Sequence, residues 1–177
     1  ALGIKLISFR KNYKDTGCVM KNYDAYIMVH SEEKNNDIGM LEGTDIIKVK
    51  EAVDKISAVY NVKADLCGTR NTDDGYERDM RGLRKLINSS LCSIIIVPSG
   101  NINKLMPPII HTISKNKKLY VLVVDEKSKN VLTEITADGY ESMTVNGRTS
   151  DSDYFKLFSS FIASAKKEMR QLCIQGA

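Results

Sequence analysis

Short apolar runs alternate along this chain with stretches in which apolar residues recur at helical spacing, and that alternation predicts a parallel sheet wrapped by helices. Tyr23-Asp-Ala-Tyr-Ile-Met-Val-His30 is the first strand, rich in aromatic and β-branched residues. It is continuous rather than alternating, which suits a central strand covered on both faces. Ser31 to Gly43 is charged and contains Asn35-Asn36-Asp37, so it reads as a loop. Thr44 or Asp45 caps the next helix, whose stripe is Ile46, Val49, Ala52, Val53, Ile56 and Val59, and which ends near Tyr60-Asn61. Val62 to Leu66 follows as a short strand. The polar stretch Cys67 to Asp79 then leads into a helix from about Arg78 to Ser89, with Met80, Leu83, Leu86 and Ile87 on one face. Ile94-Ile-Ile-Val97 is the most apolar run and belongs in the middle of the sheet.

In the second half, Pro107-Pro108 suits the first turn of a helix running to about Asn116, since proline is tolerated there and not in a helix interior. Leu119 to Val124 is another buried strand, Asp125 to Gly139 a loop with at most one helical turn, and Ser142 to Asn146 a short edge strand. Asp151 or Ser152 caps the last helix, with Phe155, Phe158, Phe161, Ile162, Ala165 and Met169 as its buried stripe. Parallel strands need crossover helices, and those helices cover both sheet faces. The expected fold is therefore an α/β, flavodoxin-like three-layer domain with a central parallel five-stranded sheet. The stretch Cys67 to Asp79 leaves the carboxyl end of a strand, where open α/β sheets bind their partners, and is the first functional candidate.

Composition narrows this picture only a little. The 177 residues fit one domain with its own core, and 42% hydrophobic content is ordinary for a globular protein. No apolar run approaches the roughly 20 residues that span a bilayer, so this piece is expected to be soluble. The net charge of +4 comes from 26 basic and 22 acidic residues, interleaved along most of the chain. Lys115, Lys117 and Lys118 form the one dense basic patch, read as a solvated helix end; no nucleic-acid partner is expected. Cys18, Cys67, Cys92 and Cys173 show no paired metal spacing and read as reduced thiols, Cys92 in the core and Cys67 exposed. Residues 1–10 are too short and interrupted for a signal peptide.

Neither phosphate-cradling glycine motif is present. His111, among Ile109, Ile110 and Ile113, reads as a partly buried histidine bonded to backbone, and His30 as a structural or exposed residue at a strand end. Ser99 lacks the context of a nucleophile elbow and reads as a turn residue. Asp73, Asp74, Glu77 and Asp79 crowd a helix start, a placement the helix dipole favours, and Arg70, Arg78, Arg81 and Arg84 stand close enough to neutralise them. No metal site or cofactor is expected from that cluster.

Three stretches together resemble the Toll/interleukin-1 receptor (TIR) domain, and the pattern is most similar to interleukin-1 receptor family members. Tyr23-Asp-Ala-Tyr-Ile-Met-Val-His30 resembles the family's first box. Arg70-Asn-Thr-Asp-Asp-Gly75 resembles the second box, Arg-Asp-x-x-Pro-Gly, with Asn71 in place of its Asp and Asp74 in place of its Pro. Tyr154-Phe155 stands where the third box has Phe-Trp. Residues 1–20 resemble a juxtamembrane lead-in and 21–173 the domain itself.

The resemblance implies a signalling module on the cytoplasmic side of a single-pass, membrane-anchored receptor, acting by homotypic association with TIR-domain adaptors or receptors, a homodimer included. The implied contact surface is Arg70, Asn71, Asp73, Asp74, Gly75, Tyr76 and Glu77. Proline to aspartate at residue 74 removes a fixed φ and adds a charge, which alters what that surface can dock against. Some relatives cleave NAD with a glutamate in the helix after the second box. The corresponding position here falls on Met80 or Arg81, which cannot do that work; Glu77 is the alternative, with NAD as substrate rather than cofactor. An interleukin-17-receptor-type signalling fold is a further alternative, disfavoured because the Tyr-Asp-Ala-Tyr strand is of TIR type.

Overall fold

The computed structural model describes residues 22–29, 40–41, 44–65, 73–98, 102–135 and 140–175; of residues 73–80 it describes the helical backbone alone. Residues 1–20, and with them the proposed lead-in, lie outside the described residues.

Five strands form one all-parallel sheet: β1 (Tyr23–Val29), β2 (Val62–Asp65), β3 (Ser90–Val97), β4 (Lys118–Val123) and β5 (Tyr140–Thr144), in spatial order β2-β1-β3-β4-β5. Among the described residues five helices connect or follow them: α1 (Ile46–Ile56), α2 (Asp73–Ser89), α3 (Ile102–Ser114), α4 (Glu126–Ile135) and α5 (Asp151–Gln175). The expected α/β, flavodoxin-like three-layer arrangement is the one found, with β1 and β3 central as their unbroken apolar character requires. Met40–Leu41 pairs antiparallel with Thr44–Asp45 just ahead of α1.

The period-two alternation of the strands sorts the core into two layers. Ala25, Ile27, Val29, Ile94, Ile96, Tyr120 and Leu122 face α1 and α5. Tyr26, Met28, Ile95, Val97, Leu119, Val121 and Val123 face α2, α3 and α4. Each central strand thus buries both faces, and at about 25 cal/mol for each Å² of apolar surface removed from water this is the main favourable term in folding.

Several element boundaries depart from the sequence expectation. Asp45 caps α1 as expected, its Oδ1 accepting from the Ile47 and Lys48 amides at 3.0 and 3.4 Å. Val59, counted in the α1 stripe, is 63% exposed because the helix has ended at Ile56. Helix α2 starts at Asp73, not Arg78. Helix α3 starts at Ile102, so Pro107 and Pro108 lie inside it rather than in its first turn. Each proline deletes one amide donor, but Ile102, Leu105 and Ile109 are buried on one face, and that burial outweighs the lost bonds. The segment read as a loop after β4 contains α4, capped by Asp125, whose Oδ1 accepts from the Ser128 amide at 2.7 Å.

Ser150, rather than Asp151 or Ser152, caps α5. Its Oγ accepts from the Asp153 amide and Asp153 Oδ2 accepts from the Ser150 amide, both at 3.1 Å, forming a reciprocal capping box. In the α5 stripe, Phe158, Phe161, Ile162 and Ala165 are buried as expected. Tyr154 replaces Phe155 as the first deeply buried aromatic; Phe155 and Met169 are half-buried.

Candidate functional site

The candidate surface is the connection from β2 to α2. Strand β2 ends at Asp65 and α2 begins at Asp73, so the segment leaves the carboxyl end of an edge strand. Arg70 and Asn71 lie outside the described residues. Asp73, Asp74, Gly75, Tyr76 and Glu77 occupy the first turns of α2 rather than a loop. The helix dipole gives the reason: carboxylates at residues 73 and 74 are favoured by the unpaired amides of a helix start, so the helix extends to include them. The acids that the sequence placed before the helix therefore form its amino-terminal end.

From the sheet side, the root of this segment is held by Tyr26. Its ring is buried under α2, and its hydroxyl donates to Asp65 Oδ2 over a long 3.5 Å. Burial, and secondarily the Asp65 carboxylate, push the Tyr26 phenol far above its usual range, so it stays a protonated donor. The last tyrosine of the Tyr-Asp-Ala-Tyr strand thus contacts the residue from which the candidate segment departs.

The aspartate of that strand works at the opposite end of the sheet, a role sequence reasoning missed. Asp24 Oδ2 accepts from the Asn61 amide at 2.9 Å, and the Asp24 amide donates to the Asn61 carbonyl at 2.7 Å. Asp24 Oδ1 also meets Lys166 Nζ at 3.3 Å, and that ammonium stands 5.5 Å from the centre of the Tyr60 ring. One carboxylate joins β1 to the entry of β2 and to α5. Its signal in the sequence was an acid inside an otherwise apolar strand, which must find donors to be retained.

At the far end of α2, the α3–β4 turn closes over the helix terminus. Lys117 Nζ donates to the Asn88 and Ser90 carbonyls at 2.8 and 2.7 Å, and His111 Nε2 lies 3.0 Å from Asn88 Oδ1. The His111 imidazole also hydrogen-bonds the Arg84 backbone; desolvation first, then Lys115 and Arg84, hold its pKa below the usual 6.5. Lys117 and Lys118 are thus half-buried and engaged, Lys118 with Glu168 at 2.9 Å, and only Lys115 of the three is the solvated lysine expected. Tyr154 is buried with its ring centre 6.0 Å from that of Phe158.

Cys92 is buried, its thiol 3.5 Å from the Asp24 carbonyl, and burial pushes its pKa up to about 12. The expectation of four reduced thiols fails at Cys173, which is disulfide-bonded. Cys18, Cys67, His30 and Ser99 also lie outside them. Among the described residues no group of three or more His, Cys, Asp or Glu side chains could hold a metal ion, and no helix is long and apolar enough to cross a membrane. Comparison of the chain with protein-family models, with curated proteins and with solved structures gives no match.

Proposed function

We propose that this chain is a TIR-type signalling module of an interleukin-1-receptor-like or Toll-like receptor. In this reading it acts by homotypic association with adaptors or receptors of the same fold, on the cytoplasmic face of a membrane. The observation that carries the reading is the use made of the Tyr-Asp-Ala-Tyr strand. Asp24 joins β1 to the entry of β2, and Tyr26 reaches Asp65, so this strand holds both ends of the element from which the residue 70–77 segment departs.

That segment brings Asp73, Asp74, Tyr76 and Glu77 to a helix start beside the carboxyl end of the sheet, with Arg70 preceding them. Opposite charges on a partner give such a surface specificity and a faster encounter more than raw affinity, and repetition in an assembly strengthens weak single contacts. Asp74→Arg and Arg70→Glu are each expected to lower self- or partner association in a pull-down without unfolding the domain. Unchanged association alongside an unchanged melting temperature would remove this segment as the interface.

A second reading, cleavage of NAD at its nicotinamide–ribose bond, is favoured by the early start of α2, which puts Glu77 on the helix rather than ahead of it. There Glu77 would hold the ribose or stabilise positive charge developing on it. Nicotinamide release by the wild type, abolished in Glu77→Ala, would support this reading; no release at high protein concentration would end it.

A further inference from the structure

From Met80 to Val124 the chain contains no aspartate or glutamate, although acids and bases alternate elsewhere. Four basic residues of this segment lie exposed on or next to two adjacent helices. Helices α2 and α3 lie on the same side of the sheet, burying Leu83 and Ile87 from one and Ile102, Leu105 and Ile109 from the other. His111 of α3, bonded to Asn88 and to the Arg84 backbone, ties the two together. Their outward surface carries Arg81, Arg84 and Lys85 from α2 and Lys115 after α3, all exposed. Ile110 and Ile113 of α3 are also exposed, at 52% and 39%.

Lysines paired with acids elsewhere on the molecule include Lys48 with Asp45, Lys55 with Asp151, Lys118 with Glu168 and Lys166 with Asp24. None of the ion pairs among the described residues involves Arg81, Arg84, Lys85 or Lys115. The His111 pKa is lowered by desolvation first and then by Lys115, Arg84 and Lys117, so cations stand near this imidazole.

We propose that the α2–α3 face docks on an anionic phospholipid surface, with Arg81, Arg84, Lys85 and Lys115 at the headgroups and Ile110 and Ile113 entering the interfacial layer. From Arg81 onward α2, and the whole of α3, carry basic residues and no acid; such a positive patch matches a partner of opposite sign, and an anionic headgroup layer presents that sign over its whole area. Two exposed isoleucines about one helical turn apart on α3 add the apolar anchor of a membrane-surface helix. The residues of this inference follow the residue 70–77 segment along the same helix, and the inference does not depend on the TIR reading.

The test is co-sedimentation of the 177-residue chain with phosphatidylcholine vesicles and with phosphatidylcholine–phosphatidylserine vesicles. Binding is expected to the anionic vesicles alone, and to fall on raising salt from about 0.1 M to about 0.5 M. Arg84→Glu/Lys115→Glu should weaken it by about tenfold or more, given the favourable contribution of each basic residue near such a surface. Ile110→Ser/Ile113→Ser should weaken it at unchanged net charge. Lys50→Glu/Lys167→Glu, an equal charge change at exposed positions on α1 and α5, should retain most of it. Equal loss in both reversal pairs, equal binding to neutral vesicles, or binding to polyglutamate without binding to anionic vesicles would each overturn the proposal, the last in favour of an acidic protein partner.

Discussion

At the scale of single residues, His111 shows how the fold sets a group's chemistry. The imidazole faces Arg84 from α2 and Lys115 and Lys117 from its own side, with the uncharged Asn88 beside Nε2. Desolvation and the three cations disfavour its protonated form, so its folded pKa lies below the unfolded value of 6.5. As pH falls through 6.5 the unfolded chain takes up the proton before the folded one, and stability falls with it until the folded imidazole also titrates. We expect the wild type to lose more melting temperature between about pH 7 and about pH 5 than His111→Gln, which carries no titrating group there. Parallel curves for the two proteins would show that the His111 environment does not couple to stability. Cys92 is the opposite kind of residue: with its thiol pushed to about 12 it is a small core side chain, and the sequence could say so because it sits in an apolar strand.

At the scale of elements, the α3–β4 turn is the most fully specified connection. Asn116 has φ 52°, the Asn116 amide donates to the Ile113 carbonyl at 2.9 Å, and the Lys117 amide donates to the Thr112 carbonyl at 3.2 Å, which is a Schellman termination. Left-handed backbone suits Asn or Gly and costs other residues about 1–2 kcal/mol. Asn116→Ala should therefore destabilise the domain by about 1 kcal/mol in urea unfolding, whereas Asn116→Gly should be close to neutral. A loss as large for glycine as for alanine would place the effect in the Asn116 side chain instead.

The strands, α1 and α5 were legible because burial on one or both faces leaves a period of two or 3.6 in the sequence. The start of α2 was not, because polar residues at a helix start carry no apolar period, and only the dipole preference of Asp73 and Asp74 marks it. Helix α3 was misread by trusting proline over the buried set Ile102, Leu105 and Ile109, and α4 because it buries so little that Asp125 and Glu126 were its main signals. Of the candidate site, the connection and its flanking elements could be read from the order of strand and helix. The Asp24–Asn61–Lys166 junction could not, because it joins residues from β1, the approach to β2 and α5.

At the scale of the whole molecule, the two cores are the two sides of a single sheet, and this sets how the domain should unfold. Ile56 on α1 belongs to the cluster that holds Ile94, Ile96 and Phe158, and Ile109 on α3 to the one that holds Ile95, Val97 and Leu105. Either layer alone would leave one apolar face of β1, β3 and β4 in water, so neither can be lost while the sheet persists. Ile56→Val and Ile109→Val should each cost about 1 kcal/mol through a missing methyl group and its cavity. With no shared partners, the double variant should lose the sum to within about 0.5 kcal/mol. The transition should stay single whether followed by far-ultraviolet circular dichroism or by tyrosine fluorescence, since Tyr26 reports from one layer and Tyr120, stacked 4.2 Å from Phe161, from the other. Two separated transitions in the double variant would mean that a layer of helices can leave while the sheet stands. The exposed α2–α3 face would then belong to an independently melting unit, and a membrane-docking variant on it could act by loosening that layer rather than by removing charge.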